Sequence, residues 1–413
     1  MMRIFLNALG ATCASGWTYL RNVIPHLSQR ADVRTTVLVK RQLRQGLTGW
    51  ANVAILDIDS PMNAAQRFWF EQTVIPRLIR KSSADVLVSA GNFALRNSPV
   101  PQILLSGNSL YTNFDFPRDL RSRREYGLWL DNRIRAFFAR CSIHWAHATV
   151  APSPSFADEL QRWAGKEVVN IHHGFDRSVF FGDATPLPDP VQRKLDSASN
   201  ALRLLFVSHY NYYRNFETLL RAVPILRESL GSRKIRLFLT CQLRSEDNPG
   251  SYRAEEAAAL VDRLGIREEV VELGTIPYHL LHHVYKACDV YVTPAYAETF
   301  AHPLVEAMAS GLPVVASDLA VHGEICGRAA LYFRRFSPEE LSKQVLRVAN
   351  SADCRQQLSQ LGVIRSQEFS WAKHTDELLG LTAALLRART PSFETRVLAS
   401  EASGDVQAVS EIG

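Results

Sequence analysis

The chain has 413 residues, 46% of them hydrophobic and 21% charged, with 47 basic against 41 acidic side chains and a formal net charge of +6. This length exceeds one ordinary core and predicts two domains of roughly 150–200 residues. No apolar run reaches the roughly 18–20 residues of a membrane span. The mild basicity does not by itself imply nucleic acid; anionic small molecules or an anionic membrane surface would suit it equally.

The apolar start, MMRIFLNALGATCASGW, has only Arg3 ahead of its apolar run and reads as a first core strand, not a secretion signal. RIFLNAL is that strand, SGWTYLRNVIPHL a helix, and TTVLVK and VAILDI the next two strands. Asp57 and Asp59 close the third strand as a D-x-D pair. Acids so spaced can hold a divalent metal, but here they read as a strand-end turn. AAQRFWFEQTVIPRLIRKS is a helix leading into the strand ADVLVSA, and PQILLSG is another strand. Residues 118–140 read as one long arginine-rich helix. Its Tyr126, Leu130, Ile134 and Phe137 recur at helical spacing and are read as core, with the arginines as a solvated face. The alternative is an anionic partner: a membrane surface, or a lipid-linked or phosphorylated acceptor. ATVAPS, SFADELQRW and EVVNIHHG complete the first half as strand, helix and strand.

Residues 182–200 are rich in Pro, Asp and Ser and read as a linker. The alternation then restarts with LRLLFVSH, the helix NFETLLRAVPILRESL, KIRLFLTC, the helix AEEAAALVDRLG and VVELG. The helix HLLHHVYKAC, DVYVTP, a helix around PLVEAMASG, PVVAS and ALYF follow. His279, His282 and His283 share one helix face, which explains them without a metal. From Ser337 the pattern is helical. Six cysteines (13, 141, 241, 288, 326, 354) show no CxxC spacing and fit buried thiols in a reducing compartment. The predicted fold class is α/β. A first Rossmann-like domain spans 1–181, a linker 182–200, a second Rossmann-like domain 201–370, a terminal helix 371–389 and a disordered tail 390–413. Two doubly wound domains in tandem face each other across a cleft at the carboxyl ends of their sheets, where ligands of this architecture bind.

ETFAHPLVEAMASGLPVVAS, residues 298–317, places two acids eight residues apart. Pro303 fits the first turn of a helix and Gly311 ends it. Glu298 then lies in the loop facing the cleft, and Glu306 about one turn inside the helix. Backbone N–H groups near Leu304 and Val305 are expected to be free at the helix start, forming with the dipole an anion site suited to a phosphate. A carboxylate one turn away can accept two hydrogen bonds from a ribose diol. Acids near a helix start also stabilise it without any chemistry, and on these two residues alone both readings stand.

The segment resembles the retaining glycosyltransferases of family 4, which use the two-domain GT-B fold, through their Glu, seven residues, Glu pattern. Glu298, Phe300, Pro303, Glu306, Ala307, Met308, Ala309, Gly311 and Pro313 match, as do Val314 to Ser317. Thr299, Ala301 and His302 depart from it, standing where Gly, Gly and often Leu are usual. Ala301 matters most, because the family brings this backbone close to the donor sugar. VSHYNYYRNFETLLRA is similar to the family segment with Gly-Arg, four residues and Lys. The resemblance puts Arg214 at the Lys position, facing the donor diphosphate, and His209 at the Arg position, shorter and only partly charged near neutral pH. It also implies nucleotide-base contacts around Thr275 and Ile276. VVNIHHGFDRSVF resembles the hinge signature at Gly174, Asp176 and Phe180, and FSWAKHTDELLGL the terminal helix that crosses back to the first domain. In the first domain Gly16, with Gly10 as the other glycine available, is the candidate for the turn beside the donor phosphates. A dinucleotide G-x-G-x-x-G is missing. Where many members carry a His, this chain has SGNSLYTN, and Asn108 is the candidate to face the reacting centre as a hydrogen-bond donor.

The resemblance implies a retaining, hexosyltransferase-type enzyme. It would move a sugar from a nucleotide-diphosphate donor to a saccharide, lipid-linked or other hydroxyl acceptor, in bacterial surface polysaccharide or glycoconjugate synthesis. Glu298 and Asn108 are the catalytic candidates. His209, Arg214, Thr275, Ile276, Thr299, Phe300, Ala301, Leu304, Val305 and Glu306 form the expected donor site on the second domain, with Gly16 opposite. Neither a metal, another cofactor nor nucleic acid is implied. The location implied is cytoplasmic, with peripheral contact at the inner membrane surface through residues 118–140. Two alternatives on the same fold are a non-hydrolysing sugar-nucleotide epimerase and a non-catalytic sugar-binding protein.

Overall fold

The computed structural model describes residues 1–389 apart from 12–13, 60–61 and 199. The tail 390–413, read as disordered, lies outside the described residues. Among the described residues the strands form two sheets, both parallel throughout. The first runs β3-β2-β1-β4-β5-β6-β7. Its strands are β1 Met2–Asn7, β2 Val33–Lys40, β3 Val53–Ile58, β4 Val86–Ala90, β5 Gln102–Leu105, β6 Ala148–Ala151 and β7 Val169–Asn170. The second runs β10-β9-β8-β11-β12-β13. Its strands are β8 Ala201–Phe206, β9 Lys234–Leu239, β10 Val270–Glu272, β11 Val290–Thr293, β12 Val314–Ser317 and β13 Ala330–Phe333.

Local chemistry sets these elements. β11 and β12, VYVT and VVAS, are buried at every residue, as strands covered by helices on both faces must be. Helix Pro154–Ala164 starts where Ser153 accepts from the Phe156 amide and Pro154 needs no donor. It stops at Gly165 with φ +71°. Strand order reverses between β1 and β4 in the first sheet and between β8 and β11 in the second. Loops leaving the carboxyl ends of neighbouring strands diverge at such a point and leave a crevice.

Three sequence expectations are corrected. Residues 118–140 are not one helix: Asp115–Ser122 and Tyr126–Trp145 are separate, with Arg124 at φ +59° between them. The break has a cause. Phe116 and Leu120 are buried in the core of the second domain. Arg123 bonds Asp119 at 2.7 Å, Glu217 at 2.9 Å and Glu256 at 3.1 Å. The first helix is thus held by one domain while the next returns to the other.

The second correction concerns the apolar stripe. Tyr126, Leu130, Ile134 and Phe137 are 50–63% exposed. Helix Tyr126–Trp145 instead buries Asn132, Ala136, Ala139, Ser142 and Ile143. Both sets have helical spacing, and the small residues permit the closer approach.

Third, the stretch 182–200 holds helix Asp189–Asp196. Its Val191 and Leu195, with Leu187 before it, are buried in the second domain's core. Apolar residues four apart form a buried stripe that the Pro-rich composition concealed.

The chain crosses back near its end. Trp371 and Leu378 of helix Trp371–Arg389 are buried in the core of the first domain. Where the two crossings meet, a Cβ on Gly174 would lie 2.1 Å from the Trp371 nitrogen, so only glycine fits. Asp57 is bonded by Arg41 and Arg44, and Asp59 by Arg41, so both acids of the D-x-D pair close a strand end in ion pairs. His282 is buried with Nδ1 against the His279 carbonyl at 3.1 Å. Among the described residues no group of side chains could hold a metal, the five cysteines are free, and no helix is long and apolar enough to cross a membrane.

Candidate active site

The loops of both switch points open into one cavity of about 290 Å³ between the domains. From the first domain come Gly10, Ala11 and Gly16 after β1, Gly91 and Asn92 after β4, and Gly107 after β5. From the second come Arg214 after β8 and residues 298–303 after β11. His173 and His374, from the two crossings, complete the wall.

Arg214 is placed by asparagines on either side. Asn211 caps the short turn Tyr212–Arg214 by accepting from the Arg214 amide at 3.2 Å. Asn215, at φ +56°, donates to the Pro294 carbonyl at 3.0 Å and so ties this loop to the one after β11. The result is an ion pair between the Arg214 guanidinium and the Glu298 carboxylate. Glu298 is nearly buried there, and the Arg214 Nε has no hydrogen-bond partner.

Ala301 sits at φ +62°, ψ 65°, a left-handed conformation natural to glycine, and leads into helix His302–Ala309. The amide of Leu304 is not free as expected: it donates to the Ala301 carbonyl at 2.9 Å, because the first turn tightens around the left-handed residue. Pro303 has no N–H, so the helix start offers its dipole more than a row of open amides.

The expected residues divide by position. Gly16, Arg214, Glu298, Thr299, Phe300 and Ala301 line the cavity. Position 16 favours glycine because a Cβ there would stand 2.6 Å from the Ala11 Cα. Asn108, His209, Thr275, Ile276, Leu304, Val305 and Glu306 do not line it. Asn108 caps the turn Ser109–Tyr111 by accepting from the Leu110 amide at 3.0 Å, and Gly107 takes the place on the wall. Burial first, then the Arg214 charge, hold the pKa of His209 below the ordinary imidazole value. Thr275 is exposed and Ile276 half-buried beyond β10. Glu306 is buried and accepts a 2.8 Å hydrogen bond from the Tyr285 hydroxyl. Burial raises its pKa to about 7, with the Tyr285 bond acting against that shift.

His173, His374 and Tyr19 were not anticipated. His173 stacks among His302 and Trp371, with ring centroids 5.2 and 5.3 Å away. Its Nδ1 and the His302 Nε2 are buried without partners. Burial first holds both pKa values down, with the neighbouring histidines adding to it at His173 and the Arg214 charge at His302, whose value falls to about 4. His374 presents Nδ1 to the His172 carbonyl at 2.8 Å. Nδ1 must donate there, leaving Nε2 to accept from the Tyr19 hydroxyl at 3.1 Å. The His-His doublet before Gly174 was the available sequence signal; the approach of His374 through a chain crossing had none.

Two doubly wound domains with a cleft between their switch points, and a terminal helix returning to the first, are the GT-B architecture. Sucrose-phosphate synthase from Thermosynechococcus elongatus superposes with a TM-score of 0.75 at 16% identity, over 94% of this chain and 100% of that one. The HepE protein of Anabaena, in complex with UDP and glucose, superposes with a TM-score of 0.67 at 14% identity, over 93% and 100%. Residues 189–362 match the family of glycosyl transferases group 1, and the second domain is a group 1 glycosyltransferase domain. Among curated relatives, D-inositol 3-phosphate glycosyltransferase of Corynebacterium aurimucosum is 25% identical over 235 residues, 55% of this chain and 54% of the relative. O-antigen chain mannosyltransferase B of Escherichia coli is 31% identical over 121 residues, 29% of this chain and 32% of the relative. The chain spans about half the length of the first of these relatives and a third of the second.

Proposed function

We propose that the protein transfers a sugar, with retention of configuration, from a nucleotide-diphosphate donor to a hydroxyl of a saccharide or lipid-linked acceptor. The observation that carries this reading is the Arg214–Glu298 pair, set at the second domain's switch point opposite a wall that includes four glycines. The guanidinium lines the cleft beside Glu298, where its N–H donors can meet a phosphate oxygen. As the diphosphate leaves, charge grows on its oxygens, and a donor aimed there in advance contributes about 3–4 kcal/mol. Glu298 stands beside the donor sugar, orients it and favours positive charge at the anomeric carbon. The neutral rings of His173 and His302 add hydrogen bonds without a second cation. The leaving phosphate takes the acceptor's proton on the same face, so no side-chain base is required. Arg214 and the helix dipole supply the positive charge, and the reaction needs no metal.

Thr275 and Ile276 are assigned to the base. Glu306 is assigned to the ribose through the oxygen that Tyr285 does not occupy. The UDP and glucose in the HepE complex support a nucleotide-sugar donor, and the O-antigen mannosyltransferase supports a surface-polysaccharide product. The test is donor hydrolysis and transfer across UDP-, GDP- and ADP-sugars, with the anomeric configuration of the first product read by NMR. Turnover that Glu298→Gln abolishes, with retained configuration, is the expected result. An altered sugar still joined to nucleotide would make the protein an epimerase, and no turnover with any donor would make it a binding protein.

A further inference from the structure

Helix Tyr126–Trp145 turns its small residues inward, which leaves a line of large apolar side chains outside. Tyr126, Leu130, Ile134 and Phe137 follow one another along its outer face, each at least half exposed. Trp69, 66% exposed, stands across from them on helix Ala64–Thr73. Between the two helices is a cavity of about 430 Å³ lined by Phe68, Phe93, Ile134 and Phe138 and by the ion pairs Arg67–Glu71 and Arg135–Asp131. A contiguous apolar surface of this kind, left in water, marks an interaction site.

The charge around it selects the partner. Arg133 and Arg140 are exposed and interleave with Leu130, Ile134 and Phe137. Among the described residues neither has an acidic partner. Asp131, the acid of this face, is neutralised by Arg135 at 2.7 Å. Arg121 and Arg124 extend the basic surface at the helix start. A second copy of the chain would set these arginines against their own images, which like-charge repulsion opposes. An anionic bilayer meets both halves of the pattern. Aromatic rings settle at the headgroup level, arginines reach lipid phosphates while their stems stay in apolar contact, and each such basic residue adds to the attraction.

We propose that this face of the first domain docks on an anionic membrane surface, with Tyr126, Leu130, Ile134, Phe137 and Trp69 entering the headgroup layer and Arg133 and Arg140 on lipid phosphates. The docking does not depend on the transferase reading; its consequence does. Arg67 joins the two regions: it lines the cavity, and its Nη1 lies 3.9 Å from where a Cβ on Gly10 would stand, in the wall of the cleft. Docking therefore holds the donor pocket next to amphiphilic acceptors.

The test is co-sedimentation of the full chain with phosphatidylcholine vesicles, with and without phosphatidylglycerol, at low and high salt. Binding is expected only with phosphatidylglycerol and should weaken as salt rises. Arg133→Ala with Arg140→Ala should lower the partition coefficient about 25-fold, roughly fivefold per arginine. Leu130→Ser with Phe137→Ser should lower it at least as much. Both double variants should keep the parent's melting temperature and its donor hydrolysis in solution. Equal sedimentation on both vesicle types, variants that bind like the parent, or a dimer in sedimentation velocity that Phe137→Ser dissociates would overturn the proposal. Loss of docking with turnover intact spares the transferase reading. Vesicle binding with no turnover on any donor sinks that reading alone.

Discussion

On the first domain's side of the cleft the wall includes four glycines, Gly10, Gly16, Gly91 and Gly107, among apolar residues such as Leu105 and Val150; on the second domain's side it includes Arg214, Glu298, Thr299 and His302. One side shapes space by withholding side chains, so that backbone can approach a ligand closely. The other concentrates charge and titratable groups around a strained backbone. Substitutions should therefore alter fit on the first side and chemistry on the second.

After the loss expected of Glu298→Gln, Arg214→Ala should give the largest effect, a fall in kcat/KM of about 10²–10³, with Arg214→Lys retaining part of the activity. Steady-state turnover on the preferred donor measures it. If Gly16→Ala reduced turnover more than Arg214→Ala, the division between the walls would be reversed.

Glu306 separates charge from shape within the second domain. Its folded pKa, about 7, lies above the ordinary carboxyl value, so the folded protein binds more protons than the unfolded chain between those two values. Stability from this group is fully present below the ordinary value. It falls as pH rises, by roughly 3 kcal/mol by pH 7 and above. Glu306→Gln keeps an acceptor for Tyr285 and should flatten this decline, leaving the variant more stable than the parent at pH 8 by chemical denaturation.

Gly16→Ala should destabilise by about 1–3 kcal/mol, because the Ala11 backbone must move. It should also raise KM for the donor more than it lowers kcat. Ala301→Gly is the smallest and has the opposite sign. It relieves a left-handed alanine and should stabilise by about 1 kcal/mol, read as a shift in the denaturation midpoint.

The doubly wound sheets were readable because alternating apolar strands and amphipathic helices need no long-range information. Glu298 and Arg214 were readable from their surroundings in sequence. What escaped depends on packing. Helix Tyr126–Trp145 has two stripes with helical period, and spacing alone cannot say which one the protein covers. The Leu304 amide is taken by a carbonyl because Ala301 is left-handed, a backbone state that no pattern at position 301 declares. His173 and His374 come together only through a crossing that brings residues two hundred positions apart into contact.

Helix Asp115–Ser122 fastens a loop of the first lobe into the second, in addition to the crossings near Gly174 and Ser370. Two adjacent threads alone would form a pivot; a third anchor set apart from them triangulates the lobes. Any wide swing must either break the ion pairs of Arg123 or drag the outer basic helix along with it. The clamshell is thereby geared to its own exterior, so that opening at the sugar pocket is felt on the surface some distance away.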